Sequence, residues 1–120
     1  MENTYVAGQH DNRPWGDWTV LDAGPGYCVK RIRVAPGGVL SLQWHHFREE
    51  EWVVVAGVAS VTRDGENIAL EAGNTVHIGV KQHHRVANRG SENLVFIEIQ
   101  MGETLREDDI VRVEDQYGRL

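Results

Sequence analysis

The chain has 120 residues, 41% of them hydrophobic and 25% charged, which suits one compact globular domain and leaves no room for a second core. A net charge of -6 argues against a nucleic-acid backbone as partner, since that needs a basic surface, but it permits a small phosphorylated ligand held by a local cluster of Arg and Lys. Cys28 is the single cysteine, so neither an internal disulfide nor a thiolate zinc cluster can form, and a reducing compartment is expected.

The first residues, MENTYVAGQHDNRPWG, are polar and hold no apolar segment of signal-peptide type, and no apolar run approaches membrane-spanning length. A cytoplasmic protein with no membrane partner is expected. Residues 1–12 carry no periodicity and read as a polar N-terminal arm. Arg13-Pro14-Trp15-Gly16 follows, and Trp15 and Trp18 give the arm something to bury against the main domain at 13–120. Strands are expected at 18–21 and 27–34, the latter with apolar and basic residues interleaved. After the Pro36-Gly37-Gly38 turn come strands at 39–47 and 52–56. Segments 59–63 and 67–70 flank Asp64-Gly65, a strong hairpin signal. Strands at 75–78, 84–87 and 94–100 complete the series, and only 107–111 suggests a helical turn. Eight or more short strands separated by turn residues imply an all-β sandwich or barrel in one domain.

The densest polar stretch lies at 43–51, between two strand-like segments. Such a cluster costs folding energy unless its groups are hydrogen-bonded, paired or coordinated. Strand alternation places Gln43, His45 and Phe47 on one face, and Trp44 and His46 on the other. If the chain turns near Arg48, Glu50 returns beside His45, and His84 is the best remote residue to complete a metal site. The plainer alternative is a solvated hairpin with ordinary surface histidines.

These residues carry a family resemblance. Gly37, Glu50 and Gly57 match the first motif of the cupins, small double-stranded β-helix barrels of jelly-roll topology; Gly73, His84 and Asn88 match the second. Gln43-Trp44-His45 replaces the usual His-x-His pair. That variant, with blocks at 13–16, 29–32, 40–46, 48–52, 84–88 and 107–119, resembles the C-terminal domain of type II mannose-6-phosphate isomerases, which in relatives is often fused to a mannose-1-phosphate guanylyltransferase.

The resemblance implies a cupin jelly-roll barrel with docked terminal arms, and a divalent metal held by Gln43, His45, Glu50 and His84. Zinc is expected first, with manganese, iron, nickel or cobalt as the other candidates. It implies interconversion of mannose 6-phosphate and fructose 6-phosphate, with Glu50, Arg48 and His46 as catalytic candidates and Arg48, Lys81 and Arg85 contacting the sugar phosphate. Glu98 and His83 are further acid–base candidates. The tail at 107–119 is expected to dock through ion pairs, the alternative being a lid that brings Arg112 or Arg119 to the site. A homodimer is expected by family analogy. The chain departs from the family at Phe47 and Glu51, where relatives carry histidines. Those departures support the alternatives of a non-catalytic sugar-phosphate or sugar-nucleotide binding cupin, or a cupin of another metal-dependent activity.

Overall fold

The alternating pattern resolves into thirteen β-strands and no helix in the computed structural model, which describes residues 1–120. The strands are β1 (Glu2–Asn3), β2 (His10–Arg13), β3 (Gly16–Gly24), β4 (Tyr27–Val34), β5 (Leu42–Trp44), β6 (Glu49–Ala56), β7 (Ala59–Arg63), β8 (Glu66–Leu70), β9 (Thr75–Ile78), β10 (His84–Ala87), β11 (Leu94–Met101), β12 (Thr104–Leu105) and β13 (Val111–Glu114). They form a six-stranded sheet in the order β2-β3-β4-β11-β6-β9, a five-stranded sheet in the order β13-β5-β10-β7-β8, and a short parallel pair, β1 with β12. Both sheets contribute to one apolar core that includes Trp18, Ile32, Trp52, Val61, Val86 and Phe96. The result is the all-β cupin jelly roll.

Period-two alternation decides which side chains enter this core. In β6, Glu50, Trp52 and Val54 are buried; in β11, Leu94, Phe96, Glu98 and Gln100; in β4, Cys28, Lys30, Ile32 and Val34. The register lines these up in rungs across β4, β11 and β6. Val34 faces Leu94; Ile32, Phe96 and Val54 form the next rung; then Lys30, Glu98 and Trp52; then Cys28, Gln100 and Glu50. The inward face is therefore apolar at one end and polar at the other. The apolar end supplies the hydrophobic burial that stabilises the fold, at about 25 cal/mol per Å2 of apolar surface. The polar end is where chemistry can be placed.

Local features fix the ends of these strands. Gly57 sits at φ +79°, and a Cβ there would lie 2.7 Å from the Asn93 carbonyl oxygen, so the turn after β6 has room only for glycine. Asn88 is buried and pins the 88–93 loop: its Nδ2 donates to the Val34 and Glu92 carbonyls, and its Oδ1 accepts from Gly90 N–H.

Several expectations change. Residues 1–12, which carry no periodicity, nevertheless include paired strands: β1 pairs with β12, β2 pairs with β3, and Tyr5 is buried in the core. The segment expected as one strand over 39–47 contains only β5, which ends at Trp44, while Val39 makes an isolated bridge to Ala87. Residues 107–111 form a turn leading into β13 rather than a helical turn.

Candidate metal centre

The polar end of the barrel gathers His45, Glu50 and His84, all buried, with one potential ligand atom from each lying within 4.8 Å of the others. Glu50 comes from the six-stranded sheet. His84 opens β10 in the other sheet, and His45 follows β5 directly. Gln43 is the register partner of His84 across β5 and β10, and both line a cavity of about 30 Å3 with Glu50, Trp52 and Glu98.

Both imidazoles are oriented for coordination. His45 Nδ1 lies 2.7 Å from the Asp109 carbonyl oxygen, and His84 Nδ1 lies 2.8 Å from the Gln82 carbonyl oxygen. A carbonyl can only accept, so each Nδ1 carries the proton and each Nε2 keeps its lone pair. Such an outer hydrogen bond fixes ring and tautomer in metal-binding histidines. Burial pushes His45 down to about 4, with Glu50 opposing and Arg48 and His84 reinforcing, and burial also lowers His84. Both rings are therefore neutral at pH 7, the form that binds metal. Gln43 Nε2 donates to Ser41 Oγ at 3.0 Å, which leaves its amide oxygen as the available donor atom. Neutral imidazoles, one carboxylate and one amide oxygen suit a divalent ion, so the residues present fit the metal that the fold implies.

Glu50 is held ionised. Burial alone would raise its pKa, but Arg48, His45 and His84 hold it well below the usual carboxylate range. Arg48 Nε donates to Glu50 Oε2 at 2.8 Å, and Trp52 Nε1 donates to Oε1 at 2.9 Å. Glu98, the neighbouring carboxyl, is pushed up to about 8, chiefly by burial and then by the Glu50 charge. Two adjacent buried carboxyls thus sit in different protonation states.

The tail closes this end. The Asp109 carboxylate accepts from the backbone N–H of His46 and of Phe47, at 2.8 and 3.1 Å, while its carbonyl holds His45. Those bonds cap the turn that ends the face alternation. Phe47, which strand parity puts beside His45, is instead 58% exposed.

The structure separates the other sequence candidates. Arg48 is buried, and its Nη1 donates to the Arg106 carbonyl, so it anchors Glu50 from within rather than standing free in a loop. His46 is exposed, pairs with Asp109 and packs on Trp44 outside the cavity. His83 is exposed, and also stacks on Trp44. Lys81 is exposed at φ +64°, and only its backbone N–H reaches towards the site, donating to the His45 carbonyl. Arg85 lines the cavity edge, but its guanidinium is tied to the Leu40 carbonyl and to Glu114. Glu51 faces outward and pairs with His77 at 2.7 Å.

A second cavity, of about 60 Å3, adjoins the first and shares Leu40, Gln43, Arg48 and Glu98 with it. Its walls include Arg13, Lys30, Arg112 and Arg119. Two of these come from the tail, which therefore helps to build the cavity as well as docking. Sequence reasoning also passed over Lys30 as a wall residue and Asp109 as the support of His45. The alternation of β4 carried the signal for Lys30; Asp109 acts from 64 residues away and left none.

The chain matches the family model described as "Mannose-6-phosphate isomerase C-terminal" over residues 2–115. It is 50% identical to the xanthan biosynthesis protein XanB of Xanthomonas campestris pv. campestris (strain B100), over 89% of this chain and 23% of that protein. It is 44% identical to the mannose-1-phosphate guanylyltransferase ManC of Salmonella typhimurium, over 100% of this chain and 26% of that one. The chain thus spans about a quarter of the length of these relatives. Among solved structures, the oxalate decarboxylase of Lactobacillus farciminis superposes with a TM-score of 0.76 at 21% identity, covering 88% of this chain and 33% of that one. The capsular polysaccharide assembling protein CapF of Staphylococcus aureus superposes with a TM-score of 0.74 at 22% identity, covering 89% and 34%. At those identities the likeness is one of fold. The sequence match is of another order, and by it this chain belongs to the mannose-6-phosphate isomerase C-terminal domain family.

Proposed function

We propose that this domain is a metal-dependent sugar-phosphate isomerase that interconverts mannose 6-phosphate and fructose 6-phosphate. The observation that carries this reading is the buried, tautomer-fixed cluster of His45, Glu50 and His84, beside a small cavity that adjoins a second one lined by cations. Gln43, His45, Glu50 and His84 would hold the ion, which when bound supplies Lewis-acid polarisation of the sugar's carbonyl and hydroxyl oxygens.

The chain's own residues supply the rest. Aldose–ketose exchange moves a proton between C2 and C1 through an enediol, with a matching proton exchange between O1 and O2. Glu98 lines both cavities, and in its ionised form, the minor one at pH 7 with its pKa pushed up to about 8, it is the carboxyl placed to take the carbon-bound proton and return it to the neighbouring carbon. Trp52 and Phe96 wall the small cavity and limit the water that could reach an enediol. Arg48 holds the Glu50 carboxylate in the orientation that the centre requires.

The departures at Phe47 and Glu51 give no support to a disabled site, because one side chain is exposed and the other pairs with His77 on the outer face. A coupled assay for fructose 6-phosphate, run on metal-loaded chain, tests the proposal. Turnover in the wild type is expected, with loss of at least about 100-fold in Glu98→Gln at unchanged metal content. A folded, metal-loaded wild type with no turnover would sink the isomerase reading.

A further inference from the structure

The larger cavity has a chemical character that the metal centre does not explain. Five cationic side chains line it, Arg13, Lys30, Arg48, Arg112 and Arg119, against two carboxyls, Glu98 and Glu107, in a protein whose net charge is -6. Four of the five have carboxylate partners: Arg13 pairs with Asp11 and Glu107, Lys30 with Glu107, Arg48 with Glu50, and Arg119 with both oxygens of Asp115. The Arg112 side chain alone has no ion pair or hydrogen bond, and its Nε is buried without a partner. Trp18 Nε1, which comes to the same cavity from β3 in the other sheet, is likewise buried and unpartnered.

Both atoms can only donate, so the group that satisfies them must be an acceptor. Leaving such donors buried and unpaired costs free energy that a bound ligand would recover. Burial, together with the nearby charges of Arg119 and Arg13, disfavours the Arg112 cation, so an anion fits the space better than a neutral hydroxyl. Lys30 Nζ sits 4.1 Å over the Trp18 ring, and its charge polarises the indole towards stronger donation. The volume of about 60 Å3 accommodates about four to six waters at the roughly 10–15 Å3 that one needs, enough for a compact oxyanion.

We propose that this cavity is the anion subsite of the metal centre, in which Arg112 Nε and Trp18 Nε1 receive the phosphate group of the substrate, with Arg13 and Arg119 beside it. The assignment rests on the reading that the barrel takes a sugar phosphate, and it deepens that reading by naming the residues that distinguish sugar phosphates from free sugars. It moves the clamp away from Lys81 and Arg85 and onto the tail strand and the β3 wall. The shared residues Gln43, Arg48 and Glu98 join the two cavities, so a phosphate held by Arg112 directs the sugar towards the ligand cluster.

Calorimetric titration of the full 120-residue chain tests this, with inorganic phosphate, mannose 6-phosphate and mannose as separate probes. Inorganic phosphate and mannose 6-phosphate are expected to bind and to compete, while mannose binds at least about 10-fold more weakly than its phosphate. Arg112→Gln should weaken both phosphorylated probes by at least about 10-fold at unchanged metal content, and Trp18→Phe by a smaller factor. The charge-matched control Arg89→Gln, at an exposed turn, should leave binding intact. His45→Ala should lose metal yet retain inorganic phosphate. Wild-type phosphate affinity in Arg112→Gln would overturn the subsite; if that variant does not fold, unchanged affinity in Trp18→Phe overturns it alone. Arg112-dependent phosphate binding without turnover leaves the subsite standing and removes the isomerase reading. Turnover with an unchanged KM in Arg112→Gln does the reverse.

Discussion

Glu50 accepts from Arg48 and Trp52 and lies beside two neutral histidines, so Arg48 is the one full counter-charge its carboxylate has. Removing Arg48 leaves that carboxylate buried without its main counter-charge. Arg48→Met is therefore expected to destabilise the metal-free chain by about 3–5 kcal/mol, measured by urea unfolding, and to cost less when a divalent ion is bound beside Glu50. An equal loss in both states would show that Arg48 does not stabilise the Glu50 charge. Asp109 acts at the same scale, since its carboxylate satisfies two backbone N–H groups in the turn after His45. Asp109→Ala leaves both donors unpaired, and a loss of about 1–3 kcal/mol is expected in the same measurement. Of these residues, His45, Glu50 and His84 were legible in the sequence because ligand types and spacing survive in the linear order. Asp109 was not, because its role arises only when the tail folds back across the barrel.

Among the strands, alternation was a sound guide wherever pairing continued, and failed where it stopped. β6 and β11 bury every second residue along nearly their whole length, so the inward placing of Glu50 follows from parity. β5 ends at Trp44, and the Asp109 cap turns the chain, so the same parity misplaces Phe47. Lys30 and Glu98 meet because β4 and β11 pair in one register, a long-range fact that neither strand states alone. The β6–β7 turn depends on Gly57, where a side chain would need left-handed backbone and would press on the Asn93 carbonyl. Gly57→Ala is expected to lower stability by about 1–3 kcal/mol. An unchanged unfolding midpoint would show that this turn relaxes freely.

Across the whole molecule, the two termini seal the polar end of the barrel. Tyr5 OH and Lys30 Nζ both donate to Glu107 Oε2 at 2.6 Å, joining the N-terminal segment, β4 and the tail at one carboxylate. Burial raises Glu107, but Lys30 and Tyr5 outweigh it, and the carboxyl titrates below its ordinary value of 4.5. A carboxylate depressed in the folded state contributes stability that is present above the unfolded value and is lost as pH falls through the folded one. The melting temperature is therefore expected to fall below about pH 5, and less steeply in Lys30→Met than in the wild type. Parallel slopes would remove Lys30 from the account. The sequence suggested that the tail docks, through its dense acids and arginines. That it also walls the cationic cavity appears only in three dimensions, because Arg112 and Arg119 become neighbours of Arg13 only once β13 pairs with β5.

The central claim is that the buried cluster at the polar end is a metal centre serving isomerisation. The most direct measurement titrates a divalent ion into chelator-stripped chain while following bound metal and fructose 6-phosphate formation in the same samples. The account predicts that turnover rises in step with occupancy and levels off when one ion per chain is bound. One ion bound without turnover, or full turnover in the stripped chain, would contradict it.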